Sequence, residues 1–210
     1  MTEPILAPTD LSVPNHHADH PGFSGISGTV LALVFAVGRG RAARVAADLA
    51  DVAPGDHVVD VGCGPGTALR IAARRGASGV GVDPAPVMRR VARALTRPGR
   101  PIRWAPGVAE DLPVPDGAAT VVWSMATVHH WQDVEQGLAE AHRVLAPGGR
   151  LLAVERRTVA GAEGRASHGW VPAQAEAFAV ACRHAGFTDV AVRTERVRSS
   201  DQLVVLATRP

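Results

Sequence analysis

The chain has 210 residues, 46% of them hydrophobic and 20% charged, with a formal charge of +2. That is enough chain for one domain with a full core, and too weak a positive charge for a clustered nucleic-acid stripe. All 22 basic residues are arginine and there is no tyrosine, so neither lysine nor tyrosine can serve as a catalytic group. Arginine stays protonated at any useful pH and is no substitute for a base. Two cysteines, Cys63 and Cys182, make no disulfide framework and point to a reducing compartment. The N-terminus does not read as a signal peptide, and the longest apolar run, Val30–Val37, is too short to span a membrane. A cytoplasmic protein without membrane or nucleic-acid partners is expected.

Residues Met1–Pro21 are proline-broken and rich in histidine, which reads as an irregular arm. Phe23–Val37 is expected to be a helix, so that residues 1–38 form an arm and cap helix ahead of a domain over 39–210. Arg39–Val52 has apolar residues at helical spacing and stops at Pro54-Gly55. Strands are then expected at His57–Val61, Gly79–Val82, Ile102–Trp104, Ala119–Ser124 and Leu151–Glu155. The intervening helices are Thr67–Arg75, Pro84–Leu95 (opened by Pro84) and Val134–Leu145, the last ended by Pro147-Gly148-Gly149. This alternation predicts an α/β fold with a largely parallel sheet covered on both faces. A polar loop over Arg156–Val171 precedes a helix at Pro172–Ala185, and Asp189–Thr194 and Gln202–Thr208 are expected to pair as a hairpin.

The densest signal is Asp60-Val61-Gly62-Cys63-Gly64-Pro65-Gly66-Thr67, where an apolar strand enters a glycine-rich turn and a helix follows. Such a turn brings a ligand onto bare backbone and onto the unpaired N–H groups of a helix start. Asp83, at the tip of the next strand, stands where ribose hydroxyls are gripped in such folds. A dinucleotide fingerprint spaces its glycines as Gly-x-Gly-x-x-Gly, whereas this turn is Gly62-x-Gly64-x-Gly66. The carboxylate of Asp60 disfavours a pyrophosphate and favours an ammonium group. Both features suit S-adenosylmethionine, whose amino-acid end takes the place of the pyrophosphate.

From Gly55 to Glu155 the chain resembles the class I S-adenosylmethionine-dependent methyltransferases, in particular the small-molecule branch that includes the ubiquinone/menaquinone-biosynthesis type. The motifs are Asp60–Gly66, Gly81-Val82-Asp83, Gly107–Pro113 and Arg143–Gly149. The resemblance implies a Rossmann-like seven-stranded sheet in the order 3-2-1-4-5-7-6, its seventh strand antiparallel. It also implies that Asp60 and Gly62 hold the methionine end and that Gly64 and Gly66 let the cofactor lie close, with Cys63 a small buried residue of the same cofactor-binding turn. Asp83 would bind the ribose and Pro84 would lie near the adenine. Ala109 and Glu110 would flank the adenine edge, and Ser124 would sit beside the sulfonium. Where many relatives carry aspartate this chain has Val108, which leaves the adenine amino group to backbone or to Glu110.

On the acceptor side, Thr127-Val128-His129-His130-Trp131 follows the fourth strand. His129 and His130 are the candidate catalytic residues, as a base with a suitable pKa or as groups that shape the pocket. Trp131 is either a packing residue or a substrate contact. The run Asn15-His16-His17-Ala18-Asp19-His20 is a solvated arm, a lid that brings His17 and His20 to the acceptor with Ser167-His168-Gly169-Trp170 closing from the other side, or, with three histidines and an aspartate within six positions, a set of metal ligands. No metal is expected, because a zinc-protease motif is missing and small-molecule relatives generally need none. The expected partner is a small-molecule acceptor, on a monomer or homodimer. Three rivals stand beside this reading. A nicotinamide oxidoreductase predicts wider glycine spacing. A non-catalytic S-adenosylmethionine-binding protein shares the same motifs. A nucleic-acid methyltransferase predicts an Asn-Pro-Pro-Tyr type of signature where Ser124-Met125-Ala126-Thr127 stands.

Overall fold

Residues 58 and 59 show how the sheet is built: Val58 and Val59 are both fully buried yet belong to different cores, because successive strand side chains point to opposite faces. The computed structural model describes residues 13–18 and 40–210. The helix expected at Phe23–Val37 and the candidate His20 lie outside the described residues.

The strands are β1 (His57–Val61), β2 (Ser78–Val82), β3 (Ile102–Ala105), β4 (Ala119–Met125), β5 (Leu145–Arg156), β6 (Thr188–Val197) and β7 (Ser200–Thr208). They form one sheet in the order β3-β2-β1-β4-β5-β7-β6. β3, β2, β1, β4 and β5 run parallel, while β7 is antiparallel to both β5 and β6. This is the Rossmann-like order implied by the motifs.

The helices are α1 (Gly40–Leu49), α2 (Thr67–Arg74), α3 (Pro86–Leu95), α4 (Val134–Val144) and α5 (Pro172–His184). On one face Ala43, Ala46 and Ala47 of α1 and Leu69 and Ala72 of α2 cover Val58, Val121, Trp123 and Leu152. On the other, Leu138 and Ala141 of α4 and Ala175, Phe178 and Ala179 of α5 cover Val59, Val122, Leu151 and Val205. Each such Val or Leu, fully buried, stabilises the fold by about 1.5–3 kcal/mol.

Several boundaries differ from the sequence expectation, and three of them have a clear local cause. Helix α3 opens at Pro86 and not at Pro84, because an oxygen of Asp83 accepts from Ala85 N–H (2.8 Å) and holds Pro84 in a turn. Ala85, the residue before Pro86, is extended as a residue preceding proline prefers to be. Strand β5 begins at Leu145, where it pairs with Ala119, and the register then jumps to Val121–Arg150 across a bulge containing Pro147-Gly148-Gly149. The β6–β7 hairpin is longer than expected. Its pairing reaches Val197–Ser200, which leaves a two-residue turn with Arg198 in the left-handed region.

Parallel register aligns the strand ends that matter. Val61 sits level with Val82 on β2 and with Ser124 on β4, so Gly62, Asp83 and Thr127 emerge along one edge of the sheet.

Candidate active site

Gly62, Gly64 and Gly66 have φ of 69°, 51° and 75°, a region that costs other residues about 1–2 kcal/mol. The three glycines answer different demands. A Cβ on Gly62 would lie 2.5 Å from Thr127 Cγ2, and one on Gly66 would collide with the Trp104 ring. Only Gly64 has open space in front of it. Gly66, expected to admit a ligand, is instead fixed by Trp104 and by its place ahead of α2. Val82 O accepts from the N–H groups of Gly62 (2.9 Å) and Cys63 (3.0 Å), which staples the turn to β2. A small cavity opens here, lined by Asp60, Gly62, Cys63, Pro65, Thr67 and Met125 among others. A buried carboxylate lining that cavity, and a nearby glycine with nothing before it, fit the amino-acid end of S-adenosylmethionine.

Asp83 is 7% exposed, and its two oxygens accept from Gly64 N–H and Ala85 N–H, both at 2.8 Å. Burial raises its pKa, and those two bonds and Arg89 only partly offset that. The carboxylate therefore shapes the glycine turn as well as facing it. Pro84 is exposed in the turn beyond. Cys63 is buried, with burial and the charges of Asp60 and Asp83 pushing its thiol pKa well up, so the thiol is inert.

Ala109 is buried in the core that holds Trp131. Glu110 accepts from Gln132 N–H (2.7 Å) and Asp133 N–H (3.1 Å), so its carboxylate is engaged at the start of α4. Ser124 is 1% exposed and bonds Thr127 Oγ1 at 2.6 Å; Thr127 in turn donates to Val61 O at 3.1 Å. This chain of contacts ties the end of β4 to the end of β1 directly under Gly62.

A short 3-10 turn, Val128–His130, then carries the histidine pair. His129 is 2% exposed, and its Nδ1 lies 2.8 Å from Oε2 of Glu155, a residue with no exposure at all. The other oxygen of Glu155 accepts from Val128 N–H (2.9 Å) and His129 N–H (3.4 Å). His130 is half-buried with Nδ1 3.3 Å from His17 O. Burial first, and the neighbouring His129 second, lower its pKa to about 4.

Residues 13–18 dock on this turn. His17 N–H donates to His129 O (2.8 Å), Asn15 Nδ2 to Trp131 O (3.0 Å) and Gln132 Nε2 to Ala18 O (2.5 Å). From the far side, His17 Nε2 lies 3.0 Å from Ser167 Oγ and its ring stacks on His168 with centroids 4.5 Å apart. Of the readings of the arm, the solvated one is therefore corrected for residues 13–18, whose polar groups are taken up by protein. His129 and His130 rings lie 4.2 Å apart, and His168 lies 5.4 and 5.3 Å from them.

Trp131, read as either a packing residue or a substrate contact, and Trp170, a candidate substrate contact in the closing stretch, are core residues. Trp131 is 6% exposed and meets Phe178 edge-on at 6.0 Å. Trp170 has no exposure, tilts over the same Phe178 at 5.2 Å and donates from Nε1 to Pro14 O. They support the histidine turn from beneath. Sequence reasoning missed Glu155 and gave Thr127 no role of its own; the one available signal for Glu155 was an acidic residue closing the otherwise apolar run Leu151–Val154.

Residues 59–153 match the profile of a family described as "Methyltransferase domain". The chain is 36% identical over 112 residues to the demethylmenaquinone methyltransferase of Tropheryma whipplei, covering 53% of this chain and 46% of that one. It spans about half the length of the curated relatives it matches. Its fold is that of a SAM-dependent methyltransferase from Aquifex aeolicus (TM-score 0.72, 16% identity, 87% and 98% of the two chains). It is likewise that of Haemonchus contortus phosphoethanolamine N-methyltransferase 2 in complex with S-adenosyl-L-methionine (TM-score 0.74, 15% identity, 94% and 60% covered). Among the described residues, no helix is long and apolar enough to cross a membrane.

Proposed function

We propose that the chain, whose residues 59–153 match the profile of a methyltransferase domain family, is a class I S-adenosylmethionine-dependent methyltransferase that moves a methyl group to a small organic acceptor held against His129 and His130. The observation that carries the acceptor side is the buried His129–Glu155 pair, placed one short turn beyond Ser124 and Thr127 at the glycine edge of the sheet.

S-adenosylmethionine supplies an electrophilic methyl on a sulfonium, and the protein's task is alignment. Asp60 is the partner for the ammonium end, Asp83 for the ribose hydroxyls, and Gly64 leaves backbone open to the ligand. Ala109 and Glu110 border the adenine side through the start of α4. Ser124 and Thr127 fix the floor below the reacting centre. In-line displacement needs the acceptor atom about 3–3.5 Å from the methyl carbon, so a rigid acceptor wall is worth more than a mobile one.

His129 provides that wall. A carboxylate oxygen can only accept, so in the neutral ring Nδ1 carries the proton toward Glu155 and the lone pair lies on Nε2. That lone pair can accept a hydrogen bond from a hydroxyl or amine. The docked segment with His17 borders the same space.

The test is turnover of S-adenosylmethionine carrying a labelled methyl in a fractionated metabolite extract. Label should appear in a small molecule with the wild type and fall sharply with His129→Asn. Binding of the cofactor with no acceptor labelled and no S-adenosylhomocysteine formed would replace this reading with a non-catalytic binding protein.

A further inference from the structure

We propose that His129, His130 and His168 form a binding site for one divalent first-row transition ion of the zinc type. Each of the three offers one ring nitrogen, and these nitrogens all lie within 4.8 Å of one another. A tetrahedral ion with bonds of about 2.0–2.1 Å needs its ligand atoms about 3.4 Å apart, which small rotations of the half-buried His130 and His168 supply. Imidazole nitrogen suits zinc, iron, copper or nickel and not magnesium.

Two further features point the same way. Metal-bound histidine commonly passes its other N–H to a carboxylate that sets tautomer and orientation, and Glu155 stands in that relation to His129 at 2.8 Å. Glu155 is also a fully buried carboxylate, and a buried charge is costly unless compensated. Among the described residues its hydrogen-bond partners are the His129 ring and the N–H groups of Val128 and His129, so a dication on the far side of that ring would extend the compensation. His129 is buried while His130 and His168 are half-buried, so the ligand set is not wholly sealed from solvent. Three protein ligands and one open position is the pattern of a catalytic rather than a structural ion.

The site departs from the sequence expectation of no metal, because the fold alone brings His168 across to the pair. If the methyl-transfer reading holds, the open position takes an oxygen of the acceptor, which narrows the acceptor to small molecules that ligate through a hydroxyl or carbonyl. The ion site itself does not rest on that reading.

The experiment uses tag-free, full-length protein stripped with a chelator and titrated with Co2+ as a visible probe, then with Zn2+ in competition. Wild type should develop ligand-field absorption saturating at one ion per chain, displaced by Zn2+. His168→Ala should weaken binding by more than about tenfold and Glu155→Gln by about 10–100-fold, with circular dichroism unchanged in His168→Ala. Wild type showing no absorption at millimolar Co2+, or His168→Ala binding as tightly as wild type, overturns the site. S-adenosylhomocysteine titrated into the same stripped protein separates the two ideas. Nucleoside binding without metal binding rejects only the ion site, and metal binding without nucleoside binding rejects only the methyl-transfer reading.

Discussion

His129 Nδ1 and Glu155 Oε2 meet at 2.8 Å with both side chains sealed from solvent, one on the turn after β4 and the other near the end of β5. The pair fixes the distance between two neighbouring parallel strands at the edge where a cofactor and an acceptor would meet. Breaking a buried pair by deleting one partner costs about 3–5 kcal/mol, because the other charge stays behind uncompensated. His129→Ala should therefore lower stability in urea unfolding more than the near-isosteric Glu155→Gln, which removes the charge itself. In turnover, Glu155→Gln should reduce kcat by about 10-fold or more with the KM for S-adenosylmethionine unchanged, since it acts through the orientation of His129. A parallel rise in that KM would place the pair in cofactor binding instead.

Asp83 makes the opposite prediction. A carboxylate bonded to ribose hydroxyls is worth about 1.5–3 kcal/mol per charged hydrogen bond, so Asp83→Ala should weaken S-adenosylmethionine and S-adenosylhomocysteine alike by about 10–100-fold in calorimetry. His130→Ala should leave both affinities near wild type and reduce turnover. Equal losses of cofactor affinity in the two variants would reject this division of labour.

The glycines can be told apart by stability. Gly66→Ala adds a left-handed residue and a clash with Trp104, together about 2–5 kcal/mol, or a melting temperature lower by roughly 2–4 °C for each kcal/mol. Gly64→Ala carries only the backbone term, about 1–2 kcal/mol, because nothing lies in front of it. Its added methyl enters the open space instead, so its larger effect should fall on cofactor affinity. If Gly64→Ala proves the more destabilising, the packing roles of the two positions are reversed.

Most of this frame was legible in the sequence. The β-branched runs ending in glycine, the helices between them and the carboxylates Asp60 and Asp83 are local patterns, and parallel register then forces them onto one edge. What local patterns do not carry is contact across long separations. His168 and Glu155 reach His129 only because the β5 extension and the loop after it fold back over the β4 end. Trp131 reads from sequence as a packing residue or a substrate contact and Trp170 as part of a closing cap, yet both rings turn inward onto Phe178. Glu110 read as an adenine neighbour; its hydrogen bonds to Gln132 and Asp133 engage the carboxylate with the start of α4.

His130 sets an acid limit. Its pKa is held at about 4 in the folded chain, below the unperturbed value of 6.5, so the folded state favours the neutral ring. That contribution is complete above 6.5 and is lost as the pH falls through the folded value. Metal-stripped protein should thus melt at progressively lower temperature from about pH 7 to about pH 4, and His130→Gln should flatten that slope. An unchanged slope in His130→Gln would assign the acid sensitivity to other groups.

The most direct test is calorimetric titration of the full-length chain with S-adenosylmethionine and with S-adenosylhomocysteine. One site per chain with micromolar affinity for both, lost together in Asp83→Ala, is the expected result. No binding of either compound at millimolar concentration, in protein shown to be folded, would contradict the assignment of the glycine turn at Asp60–Gly66 to this cofactor.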